Sequence, residues 1–286
     1  MVNPFVVEQA VKQALIEDNH YIDVTSDLLL PQNTMAKGYI VAKESGIICG
    51  IDVAEKAFRL CDPNCELIWS VKDGDSVERG QTILNLTGNA RSVLKAERVA
   101  LNFMQRMSGV ATLTHSFSKH LVGTSVKLVD TRKTTPLFRP FEKYSVMMGG
   151  GANHRYNLSD CVMLKDNHIA IFGSIQKAIQ TAKQKVGHTI KIEVEVETIA
   201  QCKEALESEA DIIMLDNMTT EMMSACVALR NQYQFENGHR AILEASGNIV
   251  AERLVEIARI GVDVISSGAL THSYKALDVS LKLSFF

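Results

Sequence analysis

Between Asp130 and Lys165 a slightly acidic chain crowds its cations: Arg132, Lys133, Arg139, Lys143, Arg155 and Lys165 stand against only Asp130, Glu142 and Asp160, with His154 added. The Arg132 guanidinium is a planar fork that can grip a carboxylate or phosphate through two charge-assisted hydrogen bonds, and Lys133 and Lys165 add point charges. Each such bond contributes roughly 1.5–3 kcal/mol when well placed. A salt-bridged surface explains one isolated cation, whereas a cluster of this size points to an anionic ligand. Gly149, Gly150 and Gly151 lie just ahead of His154 and Arg155. A run without side chains predicts either a mobile loop that carries this pair over the site or an ordinary linker.

Further along, Glu195 and Asp216 suit a hard divalent cation such as Mg2+, which is typically held by one or two carboxylates plus ligand phosphates and water. They could equally neutralise Lys165, and the two roles are compatible. The stretches "EASGN" (244–248) and "ISSGAL" (265–270) place Ser-Gly turns after apolar runs. Their backbone N–H groups, with a helix start beyond 248, can meet a phosphate. A plain turn with an N-cap is the competing account of Ser246.

These residues need a frame that gathers them. From about residue 126, "SVKLVDTRK", "CVMLKDN", "IKIEVEVE", "DIIMLDN", "AILEASG" and "VDVISSG" read as six strands, separated by segments with apolar residues at helical spacing. Such alternation implies a parallel sheet. No Gly-x-Gly-x-x-Gly follows a strand, so an α/β barrel is expected rather than an open doubly wound sheet. In a barrel the carboxyl ends of the strands share one mouth, which would collect Arg132 and Lys133, Lys165 and Asp166, Glu195, Asp216, Ser246 and Ser267. Parity in "IKIEVEVE" puts Glu193 and Glu195 on one side and Ile192, Val194 and Val196 on the other, so the glutamates should face the barrel interior.

The first 110 or so residues differ. A helix over 4–18, strands with turns at Asp73-Gly74 and Arg79-Gly80, and two helices, "ARSVLKAERVALNFMQR" and "GVATLTHSFSKHL", form a smaller α+β sandwich domain. We place it at 1–112, with 273–286 returning as an edge strand, and the barrel at 113–272. Arg98 shares a polar helix face with Asn102 and Gln105, and as a solvated arginine it needs no further role.

With 286 residues, 46% hydrophobic content and a net charge of -3, the chain can bury a large core. Whole-chain electrostatics gives no reason to expect nucleic acid or an anionic membrane as partner. The amino terminus fits a helix face and lacks a basic n-region, so a signal peptide is not expected, and no apolar window nears the ~18 residues of a membrane span. Six cysteines without a Cys-x-x-Cys pattern read as reduced core thiols, which suits the cytoplasm.

Taken in order, "ERVALNFMQRMSGVAT", "DTRKTTP", "EKYSVMMGGGANHRYNLSDCVMLKDNH", "IEVEVE", "IMLDN", "EASGNI" and "SSGALTHS" resemble the blocks of the quinolinate phosphoribosyltransferase family. The resemblance spans nearly the whole chain. It implies an incomplete β/α barrel with an amino-terminal α+β sandwich, and a homodimer, or a larger assembly, with shared active sites. It also implies quinolinate and phosphoribosyl pyrophosphate as substrates, with Mg2+. Quinolinate binding then falls on Arg98 of the partner protomer, Thr131, Arg132, Lys133, His154, Arg155 and Lys165. Glu195 and Asp216 take the ribose hydroxyls and Mg-pyrophosphate, and Ser246, Gly247, Asn248, Ser267, Gly268 and Ala269 the 5′-phosphate. Lys133, Lys165, Glu195 and Asp216 are the catalytic set. One departure stands out, because the family reads Thr-Pro-Gly-Leu-Arg where this chain has "TPLFR"; Arg139 is left outside the site for that reason.

Three other readings compete. A non-decarboxylating transferase acting on nicotinate would keep the phosphate turns and acids with fewer cations, and paralogues associated with molybdate transport share the architecture. From a different class, "VKDGDSVERGQTILNLTG" is similar to the turn of lipoyl and biotinyl carriers, without their lysine tip.

Overall fold

Asn3 starts the first helix: its side-chain oxygen accepts the Phe5 N–H at 2.9 Å, and Pro4 occupies the first turn, where its missing N–H is not needed. The computed structural model describes residues 1–286. Helix α1 (Pro4–Asp18) and the short α2 (Ser26–Leu29) precede β1 (Met35–Ala42) and β2 (Gly46–Ile47). Then come α3 (Ile51–Cys61), β3 (Glu66–Trp69), β4 (Ser76–Val77) and β5 (Thr82–Asn89). Asp73 begins the turn toward β4 and accepts the Gly50 and Ile51 N–H groups at 2.9 and 3.0 Å, with the Tyr144 hydroxyl at 2.9 Å on its other oxygen. The carrier-like hairpin therefore caps α3 from a distance, which is a structural role. Gly74 and Gly80 both take positive φ at the expected turns.

The two helices expected after β5 are one, α4 (Ala90–Ser118). Gly109 does not break it; a Cβ there would lie 2.4 Å from the Lys275 carbonyl oxygen, so the glycine admits a close neighbouring chain.

The parallel strands are β6 (Lys127–Val129), β7 (Cys161–Leu164), β8 (Lys191–Val196), β9 (Ile212–Asp216), β10 (Ile242–Ser246) and β11 (Val264–Ser266). Between them run α5 (Arg139–Met148), α6 (Asp166–Phe172), α7 (Ile175–Lys185), α8 (Ile199–Glu207), α9 (Thr220–Asn237) and α10 (Ala251–Ile260), with α11 (Ala269–His272) after β11. The sheet order β6-β11-β10-β9-β8-β7 pairs the first parallel strand with the last, and no pairing joins β6 to β7. A single rung, Val129 to Ala152, continues the sheet beyond β6. This is an incomplete β/α barrel with one open seam.

The chain ends in β12 (Val279–Phe285), which pairs antiparallel along β1 from Ala36–Phe285 to Ala42–Val279. It forms the edge of a four-stranded sheet ordered β12-β1-β5-β3. The chain divides into two units, Met1–His115 with Thr135–Gly150 and Ser273–Phe286, and Ser116–Thr134 with Gly151–His272. The division corrects the boundary read from sequence, because 135–150, including α5, packs with the first unit. Glu142, fully buried, holds that segment by accepting Thr135 N–H at 2.9 Å and its hydroxyl at 2.7 Å.

The "TPLFR" departure is accommodated in the backbone. Leu137 adopts φ +64, the left-handed conformation a glycine takes without strain, and its side chain is 98% exposed. No helix of the chain is long and apolar enough to cross a membrane.

Candidate active site

The carboxyl ends of all six parallel strands line one cavity of about 520 Å3. Thr131, Arg132 and Lys133 follow β6, Met163 and Lys165 come from β7 and its end, and Glu195 from β8. Met214, Asp216 and Asn217 come from β9, Glu244, Ser246, Gly247 and Asn248 from β10, and Ser266 from β11. In-register parallel pairing sets Glu195 beside Met214 and Met214 beside Glu244, with Asp216 beside Ser246 two residues further out. Because side chains alternate across a strand, these rows share one face. The interior position of the β8 glutamates follows, with Glu193 fully buried and Glu195 at the mouth.

Of the six clustered Lys and Arg residues, Arg132, Lys133, Arg155 and Lys165 line this cavity, while Arg139 and Lys143 belong to α5 in the other unit. Lys165 Nζ and Glu195 Oε2 form a very short ion pair, so both roles considered for that acid begin from a lysine contact. Arg155 Nη1 donates to the Cys161 carbonyl at 3.1 Å, and Nη2 lies 3.3 Å from Met163 Sδ, which tethers the guanidinium to the first residues of β7.

The triple glycine is not a mobile carrier of His154 and Arg155. Gly149 is in contact with α4, where a Cβ would sit 2.4 Å from the Ala111 carbonyl oxygen, and Gly150 has φ +89. Ala152 forms the rung to β6, and the buried Asp130 carboxylate accepts Asn153 Nδ2 at 2.6 Å and the His154 N–H at 3.0 Å. Close packing and a fixed turn are what the glycines provide.

His154 departs from the expectation of a cation offered to the ligand. Its Nε2 lies 3.4 Å from Glu193 Oε1 and 3.2 Å from Glu244 Oε2, with Glu193 0% and Glu244 2% exposed. Burial works against a charge on the ring, but hydrogen bonds and attraction from both glutamates outweigh it and raise its pKa to about 10. Burial in turn pushes Glu193 above the usual carboxylate range, with His154 opposing. His154 lines the cavity wall, but its positive charge is already met by two carboxylates.

The two Ser-Gly turns divide. Ser246, Gly247 and Asn248 line the cavity; Gly247 has φ +88, and a Cβ there would fall 2.1 Å from Asn217 Oδ1. The helix beyond them starts at Ala251. Ser267, Gly268 and Ala269 stay outside that lining. Ser267 is buried and donates its N–H to the Val129 carbonyl at 3.0 Å, while Thr271 Oγ1 donates to the Lys133 carbonyl at 2.8 Å. This turn supports Lys133 from behind. Arg98 belongs to the first unit, exposed on α4 beside the exposed Asn102.

Sequence reasoning turned Glu193 inward without giving it a partner, and passed over Glu244 and Asn217. Glu244 precedes Ser246 by two residues, so the parity that turned Glu193 and Glu195 inward could have found it as well. Asn217 sat in the quoted "IMLDN" block, but only its acid was given a role.

Comparison with known proteins bears on this arrangement. The profile of the quinolinate phosphoribosyl transferase C-terminal domain matches residues 110–282, and that of the N-terminal domain matches 23–108. The probable nicotinate-nucleotide pyrophosphorylase (carboxylating) of Methanocaldococcus jannaschii is 42% identical, covering 96% of this chain and 95% of that protein. The protein of the same description from Bacillus subtilis is 40% identical, covering 99% and 95%. Among solved structures, NadC from Streptococcus pyogenes superimposes with a TM-score of 0.94 at 41% identity, covering 100% of this chain and 99% of that one.

Proposed function

The chain belongs to the quinolinate phosphoribosyltransferase family, and from that premise we infer how its cavity serves the reaction. The enzyme transfers the phosphoribosyl group of phosphoribosyl pyrophosphate to quinolinate, with loss of CO2, in the de novo synthesis of NAD. One observation supports the residue assignment: Arg132, Lys133, Arg155 and Lys165 share a single cavity with Glu195, Asp216 and the 246–248 turn. A dicarboxylate and a polyphosphorylated sugar must be held together, and this is a lining that can balance both.

Arg132 presents its fork to a ring carboxylate, with the tethered Arg155, Lys133 and Lys165 as further counter-charges. The 246–248 turn, kept open by Gly247, receives the 5′-phosphate. As pyrophosphate leaves C1 of the ribose, positive charge develops on the sugar, and Glu195 and Asp216 stabilise it. The pyridine nitrogen forms the new bond to C1 and becomes cationic. Its positive charge then stabilises the electron pair left on the neighbouring ring carbon when the C–C bond breaks to give CO2, and that carbon uses the pair to take up a proton. No covalent enzyme intermediate is required.

Glu195 and Asp216 fit Mg2+, because they are hard oxygen donors on adjacent strands facing an open polar cavity. When bound, the ion would neutralise the departing pyrophosphate. The dimer implied by the resemblance would supply Arg98 from a second protomer, for which its exposed position on α4 leaves it available. Mixing Arg98→Ala with Arg132→Ala subunits should then restore activity in hybrid dimers. All six cysteines are free thiols, which supports a reducing, cytoplasmic setting.

The test is direct. The protein is incubated with phosphoribosyl pyrophosphate, Mg2+ and either quinolinate or nicotinate, and CO2 and pyrophosphate are measured. Stoichiometric CO2 with quinolinate alone is expected; pyrophosphate release with nicotinate and none with quinolinate would overturn the acceptor.

A further inference from the structure

Two residues at the cavity mouth other than glycine hold left-handed backbone conformations, Asn217 at φ +52 and Asn248 at φ +43. They belong to adjoining loops and touch. Asn248 Nδ2 lies 3.3 Å from Asn217 Oδ1, and Asn217 Nδ2 donates to Asp216 Oδ2 at 2.9 Å. The Asn217 N–H continues the sheet register by donating to the Ser246 carbonyl at 3.0 Å. The orientation of the Asn217 amide is settled by its neighbours, since a carboxylate can only accept and must face the NH2 group. Gly247 lies directly beneath that amide, as its 2.1 Å approach to a built Cβ shows.

We propose that Asn217 is a positioning residue that locks the Asp216 carboxylate to the 246–248 turn, so that the ribose hydroxyls and the 5′-phosphate of phosphoribosyl pyrophosphate are received at one fixed spacing. The proposal rests on the function inferred above and adds to it the part that registers the two ends of the sugar phosphate. A carboxylate left to rotate would still attract the sugar, but would not meet developing charge at C1 while the phosphate is anchored. The left-handed backbone is what allows one short side chain to reach both loops. Asparagine is the ordinary residue whose side chain best tolerates that backbone.

A turn-only role makes a different forecast. If Asn217 merely tolerates positive φ, glycine serves as well or better, and aspartate nearly as well. Asn217→Gly keeps the backbone conformation and deletes the amide; Asn217→Asp keeps an acceptor for Asn248 and removes the donor to Asp216. Steady-state kinetics with phosphoribosyl pyrophosphate and quinolinate, calorimetric binding of phosphoribosyl pyrophosphate alone, and thermal melting would be compared across the three proteins.

For Asn217→Gly we expect KM for phosphoribosyl pyrophosphate to rise and kcat to fall, each by about tenfold, with KM for quinolinate and the melting temperature unchanged, on the scale of one charge-assisted hydrogen bond. Asn217→Asp should fall further, because a second carboxylate then faces Asp216. Variants that match the wild type in both turnover and phosphoribosyl pyrophosphate binding would overturn the proposal. A wild type that binds phosphoribosyl pyrophosphate yet releases no CO2 from quinolinate would instead overturn the acceptor assignment, and the binding comparison would still decide the role of Asn217.

Discussion

Replacing either glutamate beside His154 by glutamine should move the titration of that ring by an amount the geometry sets. Two descriptions of the ring compete. A neutral imidazole with hydrogen on Nε2 leaves Nδ1 to accept the Arg155 N–H, which lies 2.7 Å away. An imidazolium gives up that contact and gains the attraction of its charge for Glu193 and Glu244, whose oxygens lie 3.4 and 3.2 Å from the same Nε2. One neutral hydrogen bond contributes about 1 kcal/mol, whereas two carboxylates this close and shielded from water favour the charged ring by more, so the imidazolium prevails. The second oxygen of Glu244, Oε1, meets no hydrogen-bond donor, so the ring is that carboxylate's main compensation. Removing one carboxylate charge costs about 1.5–3 kcal/mol, and at 1.36 kcal/mol per unit this lowers the His154 pKa by about one to two units, from about 10 in the wild type. Ring-carbon NMR followed from pH 6 to 10.5, with His154→Gln used to assign the signal, measures this directly. The folded value lies above the ordinary 6.5, so the ring's contribution to stability is complete below about pH 6.5 and is lost as the pH rises through about 10. Melting temperature should therefore fall over that interval in the wild type and fall less in Glu244→Gln. A ring that titrates near 6.5 in the wild type, or one indifferent to both glutamine variants, refutes the reasoning.

Lys165→Met removes a cation and leaves Glu195 without its lysine; kcat/KM should drop by at least about two orders of magnitude, while melting shifts little because the lysine side chain is 45% exposed. Gly247→Ala forces a Cβ against Asn217 at positive φ, so it should lose about 1–3 kcal/mol of stability and at least about tenfold in activity, measured by denaturant melts and CO2 release. Leu137→Gly relieves a left-handed leucine whose side chain touches solvent. Relief of about 1–2 kcal/mol against a glycine penalty of about 0.5–1 should raise the melting temperature by about 1 °C; a fall would mean that the leucine packs against another chain.

The parallel strands were legible because strands covered on both faces are short apolar runs with a polar residue at the exit, and those exits are the cavity mouth. Parity within one strand was enough to turn Glu193 and Glu195 inward. Other features depended on contacts that no local pattern carries. Gly149 looks the same in sequence whether it is loose or pressed against a carbonyl of α4. Gly109 looks like a helix break until the chain at Lys275 is seen to need the space. Residues 135–150 follow a barrel strand in sequence, yet the buried Glu142 and its hold on Thr135 belong to the other unit. His154 read as a cation for the ligand because its partners lie 39 and 90 residues ahead, on two separate strands.

The backbone crosses from one unit to the other at 115–116, 134–135, 150–151 and 272–273, so neither unit is a continuous length of polypeptide. During synthesis the sheet begun by Met35–Ala42 stays open on one edge until Phe285 has left the ribosome, because β12 is its outer member. Until then β1 presents unpaired N–H and C=O groups, a template for adhesion to other nascent chains. A stop codon that removed only the last dozen residues would leave every active-site side chain encoded and still yield a molecule prone to aggregate.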